Sequence, residues 1–475
     1  MIPFVFFRMT TPDTTVPDRS PLLSGSLLKA LAALSVPMLL SGALQEVQSL
    51  IDLFWVGRLG PHAVAAVSMS GIVMFLLSPV AMGLMVGTVA LVARRVGAHR
   101  PQEAGHAAAQ SLLLSAGLGA LVSVAGWFLA PQVFPLLGVR TTDAVQHGVD
   151  PAQIVHEGAG FLRIIMAGQW LMFILLACFA SLQAAGNART PMICSLAATV
   201  ANMILDPLLI YGIGPFPKLG VPGAALATVI AQAIALVAAL HALRGNDQGL
   251  ELRRESFRPD LETCWRILRI GLPGSGQLLL RSAMSAALMR IVAICGPVAV
   301  AGYGIGLRWH MFILMPAFAL GNATATLVGQ NLGAGQADRA RRSAWLASGI
   351  DAGIMVLFAL LALVAAEPLV RCFTKDPEVV RIGVQYLRVV SPFYPAVAFG
   401  IILGRALNGA GDSMAPMVIT AISLWGIQFP AAMLLAYAIT PSILGIWLAI
   451  AAGNLVHALL IIGRFHQGAW LKREV

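Results

Sequence analysis

Four carboxyl groups, Glu46, Asp52, Asp206 and Asp351, fall within long apolar stretches of this 475-residue chain. A charge in hydrocarbon is expensive, so such a residue is expected to carry a proton, hold a cation or meet an opposite charge. Asp52 closes the segment Gln45-Glu46-Val47-Gln48-Ser49-Leu50-Ile51-Asp52. Gln45, Gln48 and Asp52 are spaced i, i+3, i+7 and share one helix face. Helical rise puts Asp52 about 22 Å beyond Pro37, shortly before Gly57 and Gly60-Pro61, in the outer half of a span. Ionising a carboxyl at that depth is costly, which suits a proton or cation carrier; the alternative is an acid near enough to the interface to stay hydrated. Asn202 and Asp206 are four apart and face the same way, and Pro207 removes an amide donor and frees the carbonyl of Met203. Together they form a candidate cation site, to which Thr228 of the next helix adds a hydroxyl. The alternative is a proline-kinked helix whose polar groups satisfy only one another.

The elements that position these groups must be membrane helices. Hydrophobic residues make up 58% and charged residues 11%, with mean hydropathy +0.82, against about 25% charged in soluble domains. The runs Ala104–Val139, Leu219–Leu243 and Ser413–Gly463 contain no Asp, Glu, Lys or Arg. A spanning helix needs about 20 apolar residues, so the last run holds two, divided at Thr440-Pro441. The formal charge of +10 does not imply nucleic acid, because the basic residues gather in short loops on one side. Five cysteines without a CxxC pair suggest neither a disulfide framework nor a zinc site. There is no HExxH, GxSxG or Walker loop, so no catalytic residue, enzyme activity or cofactor is expected.

Hydropathy and helix breakers predict an all-α polytopic protein of twelve helices. The first six run near 28–56, 63–93, 107–131, 154–182, 190–213 and 222–243. The second six run near 265–294, 298–329, 343–366, 382–407, 414–438 and 442–463. This gives an N-terminal tail (1–27), a first lobe (28–243), an inter-lobe loop (244–264), a second lobe (265–463) and a C-terminal tail (464–475). Arg94, Arg95, Arg100, Arg253, Arg254, Arg341, Arg342, Arg405 and Arg464 fall on one side, which sets both termini in the cytoplasm of a bacterial inner membrane.

The two lobes are copies. Pro37 and Pro273, Pro61 and Pro297, and Gly97 and Gly333 are each 236 apart; Arg163 and Arg388, Asn187 and Asp412, and Pro191 and Pro416 are each 225 apart. The eleven extra residues of the first copy (236 less 225) are expected in an external loop within Arg140–Glu157. A duplicated membrane half whose copies share one orientation is the trace of a transporter that rocks about a central cleft. Arg281 is the mate of Gln45 and Ser282 the mate of Glu46, so Glu46 and Arg281 are a candidate charge pair across that cleft. Asp351 is expected in a solvated inner vestibule. The shared position of Arg163 and Arg388 points to structure over substrate contact.

Three segments carry a family resemblance: Pro37 with Asp52-Leu53-Phe54-Trp55-Val56-Gly57-Arg58-Leu59-Gly60, Gly186-Asn187 with Pro191, and Leu327-Val328-Gly329-Gln330-Asn331-Leu332-Gly333-Ala334-Gly335. They resemble the multidrug and toxic compound extrusion (MATE) transporters over nearly the whole chain after the tail. The resemblance implies two six-helix lobes in a V and export of drugs, organic cations or other amphipathic compounds in exchange for protons or sodium. It also implies a lipid-embedded protein with small-molecule substrates, no nucleic-acid partner and a monomeric state. The branch resembled is that of DNA-damage-inducible protein F. Its first-helix acid and preceding glutamine match Asp52 and Gln45, its fifth-helix pair matches Asn202 and Asp206, and its sixth-helix threonine matches Thr228. Sodium would sit at Asp52, Asn202 and Asp206. A family tyrosine appears here as Phe161, and that lost hydroxyl favours protons. The glutamate and aspartate of the norfloxacin-resistance branch have no match, Arg281 falling near the first. Alternatives are a lipid-linked sugar flippase of the same superfamily and, from other classes, a membrane-embedded enzyme or receptor.

Overall fold

A computed structural model describes residues 22–139, 150–245, 249–436 and 443–473. The described residues are helical and contain twelve segments long and apolar enough to cross a membrane. In chain order these are α1 (Leu27–Gly57), α2 (Pro61–Gly97), α3 (Pro101–Leu136), α4 (Pro151–Ala184), α5 (Arg189–Tyr211) and α6 (Val221–Arg244). The second set is α7 (Leu261–Ile294), α8 (Pro297–Gly333), α9 (Ala337–Val364), α10 (Pro377–Gly409), α11 (Met414–Leu434) and α12 (Ile443–His466). Several outrun their predicted limits because polar first turns extend them past the apolar stretch: α3 starts at Pro101 and α9 at Ala337.

The repeat is visible in how helices begin. Gly60 (φ 121°) precedes Pro61, and Gly296 (φ 98°) precedes Pro297. Glycine supplies the positive φ and proline fills the first helical position, where no amide partner is needed. The two copies differ inside α10 and α11. A 3₁₀ turn at Ser391–Phe393 interrupts α10, and a π-helical stretch at Ala421–Gln428 widens α11. The matching part of α5 is regular α-helix.

Packing within the first half joins α3 to α4, α4 to α2 and α6, and α5 to α1 and α6. In the second half α8 packs on α9 and α10, and α10 packs on α9 and α12. Contact between the halves runs along α2 with α7 and α8, and along α1 with α8. The backbones also meet closely where α2 and α8 end. A Cβ on Gly97 would lie 1.9 Å from the carbonyl oxygen of Gln330, and one on Gly333 would lie 2.1 Å from that of Arg94. Gln330 and Arg94 are themselves 236 apart, so the contact is two-fold symmetric.

Contacts hold the ends and loops, and one loop bound shifts. In the segment after α12, Trp470 is buried against Phe465, and Asp412 pairs with both Arg464 and Arg473. Asp412 could not stay buried without those cations. The inter-lobe loop is anchored as well. Gln110 of α3 donates to the carbonyls of Ser256 (2.8 Å) and Arg258 (2.6 Å) and accepts from the Asp260 amide (3.0 Å). Finally, Pro151–Glu157 belongs to α4, so the extra residues of the first copy lie between Leu136 and Asp150. Residues 140–149 of that stretch, and the expected break at Thr440-Pro441, are outside the described residues.

Candidate functional site

The packing of α1 on α5 brings two acids together. Asp52 and Asp206 meet carboxyl to carboxyl, close enough to share a hydrogen bond. Asp206 and Asn202 are fully buried, and Asp52 is partly buried. Asn202 Nδ2 donates to Asp206 Oδ1 (3.3 Å) and to Thr228 Oγ1 (3.4 Å), and Thr228 donates to the Ala224 carbonyl (3.1 Å). Three shielded oxygens have no hydrogen-bond partner: Asp52 Oδ1, Asn202 Oδ1 and Asp206 Oδ2. One proton placed between the carboxyls would supply the missing donor, and one small cation would be met by the same oxygens. The donor set therefore fits either ion.

Of the residues singled out by spacing, Asp52, Asn202, Asp206 and Thr228 come together. Gln45 does not: it is exposed about two turns away, and Gln48 is the α1 glutamine that reaches α5, meeting Thr199 at 3.5 Å. Thr199 was legible as part of the stripe 199, 202, 206, the same i, i+3, i+7 pattern seen on α1. Phe161 packs in the apolar cluster with Val56 and Ile210.

Glu46 and Arg281 do not pair. Glu46 is exposed and takes part in no ion pair among the described residues. Arg281 instead points into the second half, where it donates to His457 Nε2 at 3.0 Å. It lines a cavity of about 260 Å³ together with Arg405, His310, Tyr303, Tyr386 and Gln277. Arg405 was placed at the cytoplasmic side by sequence. Its apolar neighbours, Ile401 to Leu407, were the signal that it lies deeper, since Ile401, Arg405 and Asn408 follow i, i+4, i+7 and all line the cavity. Asp351 is not in a solvated vestibule: it is fully buried, with neither carboxylate oxygen partnered. Helical spacing puts it on the buried stripe of Ala344, Ala347, Ser348 and Met355. Arg163 and Arg388 are both exposed on their helices.

Among the described residues, twelve membrane-length helices built as two similar halves, with an acid pair in one and a polar cavity in the other, define a transporter architecture. The MatE family profile matches residues 37–208 and 273–434, and the chain belongs to that family. It is 29% identical to the "Probable multidrug resistance protein YoeA" of Bacillus subtilis (strain 168), covering 95% of this chain and 96% of that protein. It is 30% identical to the "FAD transporter" of Shewanella oneidensis (strain MR-1), over 92% and 94%. Among solved structures, a MOP superfamily transporter from Pyrococcus furiosus Vc1 (DSM3638) superposes with a TM-score of 0.86 at 25% identity, over 96% of this chain and 98% of that one. The protein is thus a MATE-family membrane transporter and not an enzyme.

Proposed function

We propose that this transporter is a secondary exporter of small amphipathic molecules. Cargo leaves as protons enter, sodium being the alternative ion, and coupling resides in the first half. The observation that carries this reading is the Asp52–Asp206 contact, with three partnerless oxygens around it. With both carboxyls ionised, two negative charges face each other in a low dielectric and push α1 and α5 apart. A bound proton or cation removes that repulsion. The ion thereby binds one packing of α1 against α5 better than the other, which is what a coupled two-state carrier requires. The second half offers no such acid pair at the matching positions, since Leu288 and Ala431 stand where Asp52 and Asp206 would.

The branch resembling DNA-damage-inducible protein F fits this first-half placement. The one-sided distribution of Lys and Arg supports a bacterial inner-membrane protein with both termini in the cytoplasm, and transport by a monomer needs no cofactor beyond the ion. The relatives' names range from multidrug resistance to FAD, so they leave the charge of the cargo open.

The test is transport by purified protein in liposomes under separately imposed proton and sodium gradients. A proton gradient alone should drive efflux of an amphipathic dye, and Asp52→Asn and Asp206→Asn should each reduce that flux about tenfold or more, the effect of losing an essential ionisable group. Full gradient-driven flux in Asp52→Asn would refute the assignment.

A further inference from the structure

The cavity of the second half has the opposite electrostatic character to the acid pair of the first. Two guanidiniums, Arg281 of α7 and Arg405 of α10, line it, and among the described residues none of its walls is an Asp or Glu. Neither arginine takes part in an ion pair among the described residues, and Arg405 has no hydrogen-bond partner among them. Guanidiniums held inside a membrane protein without a carboxylate are costly, and they mark a substrate path more often than a support.

The position of Arg281 is built. A guanidinium only donates, so His457 Nε2 accepts from it, and the ring is neutral in that contact. Thr420 Oγ1 lies 3.3 Å from the same Nε2, and Gln277 Nε2 lies 3.4 Å from Thr420 Oγ1. Gly400 makes room for the ring, since a Cβ there would stand 2.8 Å from His457 Nδ1. The π-helical stretch of α11 carries Leu424 and Gln428 to the same cavity. The same cavity has an aromatic wall. Tyr303 and Tyr386 pack edge to face at 5.6 Å, and Trp447 backs Tyr303 in a stack at 5.3 Å.

We propose that this cavity binds the anionic group, phosphate or carboxylate, of an aromatic organic anion, with Arg281 and Arg405 taking the charge and Tyr303 and Tyr386 walling the ring. Its use in transport rests on the exporter reading above; binding does not. The cargo charge is then the reverse of the organic cation that the family resemblance implies. The same anionic chemistry occurs on soluble molecules and on lipid headgroups.

The experiment is calorimetric titration of the full chain in phosphatidylcholine nanodiscs without any ion gradient. Three probes share one ring: 1-naphthyl phosphate, 1-naphthol and (1-naphthylmethyl)trimethylammonium. The phosphate should bind about tenfold or more tightly than either other probe, as charge-assisted bonds to arginine allow. Arg281→Gln and Arg405→Gln should each weaken it about tenfold, and Arg281→Lys less, with unchanged thermal midpoints showing intact folding. Equal or tighter binding of the ammonium probe by the unaltered protein overturns the proposal without need of any variant. Competition with dihexanoyl phosphatidate distinguishes the sources: displacement of naphthyl phosphate supports a lipid headgroup, and indifference supports a soluble anion. Phosphate-selective binding without gradient-driven flux would keep the site and remove the exporter. Flux of the ammonium probe with no phosphate binding would do the reverse.

Discussion

Arg281 donates to Nε2 of His457 across 3.0 Å, joining α7 to α12 at the wall of the second-half cavity. Its repeat mate in the first half is the neutral, exposed Gln45. The duplicated scaffold thus carries an acid pair in its first half and a guanidinium-lined cavity in its second. If His457 orients Arg281, then His457→Ala should weaken 1-naphthyl phosphate binding several-fold, while His457→Gln, which keeps an acceptor, restores most of it. Equal losses in both variants would show that the ring acts by packing alone.

Asp52 and Asp206 should behave as a unit. The double variant Asp52→Asn/Asp206→Asn is expected to lose little more gradient-driven flux than the worse single variant, because groups sharing one ion are not additive. Multiplying losses in the flux assay would separate the two acids into independent sites.

The symmetric crossing of α2 and α8 has no room for a side chain. Gly97→Ala and Gly333→Ala should each destabilise the protein by about 1–3 kcal/mol, the usual cost of overpacking. Because the two contacts are related by the repeat, the losses should be similar in a detergent thermal-unfolding series. An unaffected midpoint in either variant would mean that the halves separate there freely.

Asp351 sits fully buried with two partnerless oxygens. An uncompensated carboxylate is unfavourable there, so Asp351→Asn should keep or raise the thermal midpoint. A fall of about 5 °C or more, a large change for a chain this size, would reveal a partner that the carboxylate needs.

Asp260, just before α7, accepts from Thr263 Oγ1 at 2.6 Å and faces His106 Nε2 at 3.1 Å. These contacts, Thr263 first and His106 second, hold its carboxyl down at about 2. A depressed folded value means that its stabilisation is complete above the unfolded value of about 3.9 and is lost as pH falls toward 2. The group is partly exposed, so the effect is small. Asp260→Asn should flatten the acid limb of thermal stability between those limits, and an unchanged acid limb would assign the loss to other carboxyls.

The sequence by itself determined the number of spans, their order and the duplication, because apolar runs, Gly-Pro breaks and two constant offsets are local features of the chain. It also paired Asn202 with Asp206, since i, i+4 on one helix needs no tertiary knowledge. Only the packing of helices remote in sequence decided the rest. It set Asp52 against Asp206, put Gln48 where Gln45 was expected, turned Arg281 away from Glu46, and buried Asp351. It also drew Arg405 into the cavity from a place assigned to the cytoplasmic side. Hydropathy reports how deep a residue lies along its helix, whereas rotation about the helix axis is set by which neighbours it packs against. The charges of this protein act across helices, so their meaning lay in that rotation.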